Sequence, residues 1–102
     1  MKKTTKSTSG TSFHDTFLNA TVNQLTSILG EPTFKENTGE DKVNFEWDLE
    51  NESGMTFTVY DWKEYRPIGL DETIEWHLGS HAKWSAEMGK KEIETALKSV
   101  TP

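Results

Sequence analysis

The sequence contains no cysteine, a single arginine (Arg66) and only three prolines in 102 residues. Without cysteine, neither a disulfide framework nor a thiolate metal site can form, and the absence fits a reducing cytosol. No apolar run approaches the roughly 20 residues of a membrane span. The opening MKKTTKSTSGTS is cationic, but no apolar segment follows it, so it does not read as a secretory signal. Cations are outnumbered, 11 Lys and Arg against 17 Asp and Glu, for a net charge of −6. That balance argues against non-specific nucleic acid and anionic membranes as partners, since both need Lys/Arg patches. Gly79-Ser80 is too little for a phosphate-binding motif, and no nucleophile–base pattern is present, so no cofactor and no enzymatic activity are expected.

What is present is aromatic: four Trp, five Phe and two Tyr. Aliphatic residues are scarce, and large rings let a small core work. The length suits one domain, with residues 1–11 as a Lys/Thr/Ser-rich disordered tail and 12–102 as a single α+β unit. Burial in so short a chain is marginal, so a homo-oligomer is expected.

The pattern of elements follows the chain. Residues 12–19 read as a strand or an extended arm. Thr21 and Gln24 form a capping box for a helix over 21–29, with Val22, Leu25, Ile28 and Leu29 on one face. Gly30 and Pro32 end it. Residues 34–41 are a polar turn. Over 42–50 the alternation Val43, Phe45, Trp47, Leu49 marks a half-buried strand. Asn51–Gly54 turns the chain into a return strand over 55–62, whose Met55, Phe57 and Val59 join the apolar side. Tyr60 and Trp62 fall on the opposite side. Pro67 and Gly69 mark a loop, and a third strand follows over 73–79. Residues 82–99 are helical in composition, with Ile93, Ala96 and Leu97 on one stripe and Trp84 and Met88 earlier. Gly89 interrupts that pattern, so the helix either starts near Lys90 or follows an irregular turn. The expected fold is an antiparallel β-meander of three to four strands, with an N-terminal and a C-terminal helix packed on one face.

Several short motifs recur together: Leu29-Gly30-x-Pro32 at the helix end, Glu46-Trp47, Tyr60-Asp61-Trp62-Lys63, and Trp76-His77-Leu78-Gly79. In order and spacing, over residues 20–80, they resemble a family of small bacteriophage-encoded proteins. That family has an FGxP helix end, an E-W strand, a YD/NWK strand and a WHIGG segment. This chain departs at Ser80, where the family tends to have a second glycine. The resemblance implies a phage origin and action in the host cytoplasm, with no settled activity. Small phage accessory proteins often blunt host defences, some by sequestering nucleotide signals.

The chemistry concentrates in YDWKEYR. Tyr60, Trp62, Lys63, Tyr65 and Arg66 place π faces beside cations, which suits stacking a base and neutralising a phosphate. The same residue types are enriched in protein interfaces. They equally describe rings covered by a partner, with Lys63 and Arg66 paired to carboxylates. His77, Ser80 and His81 would lie near the rim. His77 and His81 with Glu75 have zinc-ligand chemistry, but their spacing needs a helix that Gly79-Ser80 opposes, so no metal is expected. Glu46 and Asp48 share one strand face and need no catalytic explanation. The expected function is a non-enzymatic anti-defence protein that captures a small anionic ligand, a nucleotide immune signal, without turnover. The alternative is an acidic module that inhibits a host defence protein through Glu46, Asp48 and Glu75.

Overall fold

The structure, a computed structural model, describes residues 1–40 and 42–100. Asp41, inside the predicted polar turn, and residues 101–102, at the end of the predicted domain, lie outside the described residues. The chain is α+β, with an open antiparallel sheet of six strands and two helices. In chain order the elements are β1 (Lys2–Lys3), β2 (Ser12–Ala20), α1 (Val22–Leu29), β3 (Phe34–Lys35), β4 (Phe45–Glu50), β5 (Thr56–Tyr60), β6 (Ile74–Ser80) and α2 (Lys83–Val100).

The predicted meander is present as β4–β5–β6, but the sheet is wider than three or four strands. β2 pairs with β6 from Ser12 to Ala20. The two-residue strands β1 and β3 both pair with the outer edge of β4. Between them, the Asp48 amide donates to Thr33 Oγ1 at 3.0 Å and its carbonyl accepts from the Thr4 amide at 3.1 Å.

Where the composition suggests a disordered tail over 1–11, the structure has an extended segment. Lys2 and Lys3 pair with Glu50 and Leu49, and the Lys6 ammonium donates to Glu50 Oε1 at 2.9 Å. Backbone pairing and an ion pair hold this segment, and neither leaves a mark in hydropathy.

One sheet face is apolar because the alternation of four strands agrees across the register. Trp47 and Leu49 on β4, Phe57 and Val59 on β5, Trp76 and Leu78 on β6, and Leu18 and Ala20 on β2 are all buried. Val43 does not join them: the strand begins at Phe45, and Val43 is only half-buried.

The expected capping box closes at the start of α1. Gln24 N donates to Thr21 Oγ1 at 3.0 Å, and Thr21 N donates to Gln24 Oε1 at 2.8 Å. Gly30 ends the helix at φ 82°. The two core tryptophans tie both ends of α1 to the sheet. Trp76 Nε1 donates to the Ala20 carbonyl and Trp47 Nε1 to the Gly30 carbonyl, each at 2.9 Å. Their rings meet edge to face at 5.5 Å. A buried indole N–H needs a partner, so these two bonds fix the helix in place as well as satisfying the rings.

α2 packs on β2, β5 and β6 and touches α1. It runs unbroken through Gly89, correcting the expected interruption. The reason is steric: a Cβ at position 89 would lie 2.7 Å from the Phe57 ring. Gly89 is the close-approach point of helix on sheet, flanked by buried Ala86 and Ile93. Trp84, expected on the apolar stripe, is 54 % exposed.

Gly89→Ala sets two effects against each other. Helix propensity favours Ala by about 1 kcal/mol, whereas overpacking a filled core costs about 1–3 kcal/mol. Phe57 is fully buried and has no room to yield, so the clash should win and lower the urea midpoint. A variant more stable than the parent would show that α2 is not seated on Phe57.

Candidate functional site

The sheet face opposite the helices carries Glu46, Asp48, Thr58, Tyr60, Glu75 and His77, as the alternation predicts. β2 adds two rings to it. Phe13 stacks on His77 at 4.4 Å with an interplanar angle of 27°, and Phe17 meets the same imidazole edge-on at 5.1 Å. In a regular strand, residues four apart lie roughly 13 Å from each other. A register shift between Phe13 and Thr16, with Asp15 at φ 62°, shortens that span and brings the two phenyl rings to 5.0 Å. Tyr60 continues the row, 5.7 Å from His77 and 6.0 Å from Trp62. Phe17, Phe13, His77, Tyr60 and Trp62 therefore form one contiguous aromatic surface.

Trp62 stands beyond the end of β5, on a loop with a buried anchor. The Asp61 carboxylate, with 0 % exposure, accepts from Asn44 N at 2.8 Å, Asn44 Nδ2 at 3.0 Å and Phe45 N at 2.8 Å. Lys63 N donates to the Lys42 carbonyl at 2.7 Å. Lys63 and Tyr65 both take positive φ, 55° and 51°, a conformation costing about 1–2 kcal/mol for an L-residue. The result is that Trp62, 41 % exposed, has two ammonium groups close to its ring. Lys63 Nζ is 5.5 Å and Lys42 Nζ 5.8 Å from its ring centroid, within cation–π range.

The electrostatics of this face differ from its formal charge. Asp48 Oδ1 is buried and meets no donor among the described residues. A proton on Glu46 would supply one. Burial, followed by the hydrogen bond and the negative charge of Asp48, pushes Glu46 up to about 8. Glu46 therefore favours its protonated form at neutral pH, as burial beside a second carboxyl group dictates. Burial lowers the pKa of His77, outweighing Glu75 and Glu64, which raise it. Its imidazole is therefore a flat neutral ring in the aromatic row. Tyr60 is raised, by burial first and then by Glu46.

Of the residues singled out from sequence, Tyr60, Trp62, Lys63 and His77 come together here. Tyr65 borders an adjoining cavity of about 640 Å³, shared with Phe34, Lys42 and Glu46. Arg66 is engaged elsewhere. Its guanidinium donates to both Glu72 oxygens, at 2.9 and 2.5 Å, which raises Arg66 and lowers Glu72. Ser80 is fully buried on the helix-covered face, and its hydroxyl donates to the Ala82 carbonyl. His81 is exposed beside Gly10. Among the described residues, no three His, Asp or Glu side chains are grouped to hold a metal ion.

Phe13, Phe17 and Lys42 belong to this surface, and the sequence did not mark them. Phe13 and Phe17 are evenly spaced for one strand face, but only the register shift makes them neighbours. Lys42 arrives through a loop contact between segments 20 residues apart.

The Glu46 shift predicts a pH dependence with a definite sign. Its pKa is higher folded than the ordinary 4.5. The stabilisation from its bound proton is therefore fully present below pH 4.5 and is lost as pH rises through about 8. Melting temperature should fall over that window, and Glu46→Gln, which keeps a donor for Asp48, should flatten the fall and be the more stable protein at its alkaline end. Parallel pH–melting curves for parent and variant would contradict the shared proton. Comparison with protein-family models, curated proteins and solved structures finds no match to this chain.

Proposed function

We propose that the protein is a non-enzymatic binding protein that captures a small anionic ligand with a planar group, a nucleotide, on the aromatic face of its sheet. The observation that carries this reading is Trp62: a partly exposed indole at the end of a five-ring row, with two ammonium groups close to it. Stacking on such a ring contributes about 1–3 kcal/mol per base and tolerates any base. Lys42 and Lys63 would neutralise a phosphate beside it. Elsewhere the chain is acidic, so an extended nucleic acid would be repelled while a compact nucleotide would meet only the local cations. Arg66 and Ser80 are left out of the site. Arg66 already holds a carboxylate pair, and Ser80 faces the helices. Resemblance to phage-encoded proteins supports the biological half of the reading, capture of a host immune signal in the host cytoplasm. A homo-oligomer is part of the proposal, with exposed Trp84 and Leu70 as surface for a second copy.

The alternative, an acidic module inhibiting a host defence protein, needs a charged carboxylate row. Of Glu46, Asp48 and Glu75, Glu46 is pushed up to about 8 and Asp48 has one oxygen buried, while Glu75 is exposed. The formal charge of the row is thereby reduced at Glu46, which favours the ligand reading.

Thermal-shift measurements against cyclic di- and trinucleotides and ADP-ribose derivatives test it. A ligand at 100 times its Kd stabilises by about 2.7 kcal/mol, or roughly 11–22 °C in a chain of this size. Trp62→Ala should abolish the shift, and Lys63→Ala should reduce it in a salt-dependent way. The reading fails if none of these compounds moves the melting temperature of the parent.

A further inference from the structure

The extended N-terminal segment does more than pair with β4. After Lys6 it crosses to the start of β2, and a cavity of about 230 Å³ lies between it and the sheet. Thr8, Glu46, Thr58, Tyr60, Trp62 and Gly79 are among its lining residues. Gly79 keeps the space open, since a Cβ there would come 2.8 Å from Thr58 Oγ1. Thr58 is 5 % exposed, and its side chain lies against Gly79 at the cavity wall. Thr8 and Tyr60 bring two further hydroxyl-bearing side chains to the same lining.

The lining chemistry narrows what would fit. No Lys or Arg lines the cavity and a carboxyl does, so a phosphate is disfavoured. At about 230 Å³ it falls below the roughly 300 Å³ where pockets begin to hold whole drug-sized ligands. It has room for one ring of a ligand whose remainder lies outside. Hydroxyls and a carboxyl facing aromatic walls match a ring that carries several hydroxyls and has an apolar C–H face. We propose that this cavity is a sugar subsite, taking the ribose, or a sugar ring of that class, of a ligand whose phosphate meets Lys42 and Lys63 at Trp62. The assignment rests on the nucleotide reading above and adds to it the part of the ligand that is recognised by hydrogen bonds.

Calorimetric titration of the full chain with D-ribose 5-phosphate, inorganic phosphate and ADP-ribose tests the subsite. Ribose 5-phosphate should bind at least roughly tenfold more tightly than inorganic phosphate. Thr58→Val, which removes the hydroxyl at nearly constant shape, should weaken ribose 5-phosphate roughly three- to tenfold, the worth of one such hydrogen bond. Inorganic phosphate should be unaffected. Tyr60→Phe, which keeps the ring, should act in the same direction and guards against misfolding of the Thr58 variant. Equal affinity for the two phosphates, or ribose 5-phosphate binding indifferent to both variants, would overturn the subsite. If ADP-ribose binding is lost in Trp62→Ala yet unmoved by Thr58→Val and Tyr60→Phe, the subsite falls and the nucleotide reading stands. Ribose 5-phosphate binding without any nucleotide or ADP-ribose binding would keep the subsite and overturn the nucleotide reading.

Discussion

The Asp61 carboxylate is the constraint on which the rest of the aromatic face depends. It is fully buried and accepts two backbone amides and one side-chain amide from Asn44 and Phe45. Hydrogen bonds to a charged acceptor are worth about 1.5–3 kcal/mol each, enough to offset burying the charge. Asn44 passes the constraint on, donating through Nδ2 to the Arg66 carbonyl and accepting from Gly39 N. Asn37 then exchanges two hydrogen bonds with the backbone of Ile68. Two loops that would otherwise move separately become one unit. The left-handed backbone at Lys63 and Tyr65 is tolerated because this network over-determines it. Lys42, Trp62 and Lys63 are thereby presented together instead of on independent loops.

The two sheet faces solve different problems with the same residue types. On the covered face, indoles fill volume and direct their N–H groups to the ends of α1. On the other face, rings are only partly covered, and polar groups stand among them with incomplete partnering. What draws the functional reading to this face is its contiguous row of rings and the two ammonium groups beside the exposed Trp62.

How much was legible in the sequence depended on the range of the contact. The Thr21–Gln24 box and the period of Phe45, Trp47 and Leu49 are local signals, and α1 and β4 follow from them. The β4–β5 pairing follows from the short turn after Glu50, and β6 joins β5 across a longer loop. Gly89 misled because its local meaning, a weak helix position, is opposite to its tertiary one, a seat for Phe57. The assembly of the site was legible only in part. Tyr60 stands on that face by the alternation of β5, but Trp62 lies past the strand end, and Phe13, Phe17 and Lys42 depend on a register shift and on bonds across loops. Arg66 looked like a phosphate ligand by type alone. Its partner Glu72 is six residues on, across a loop whose shape no periodicity encodes.

The short strands β1 and β3, with the Thr4 and Thr33 bonds between them, carry a consequence of another kind. A bare β4 edge would be a ready template for a foreign strand. Four small contacts occupy that edge along most of its length. At the far side of the sheet, the kink at Asp15 disturbs the ladder of β2. Neither margin is left as an uninterrupted flat strand, the form in which a sheet edge most readily recruits another chain.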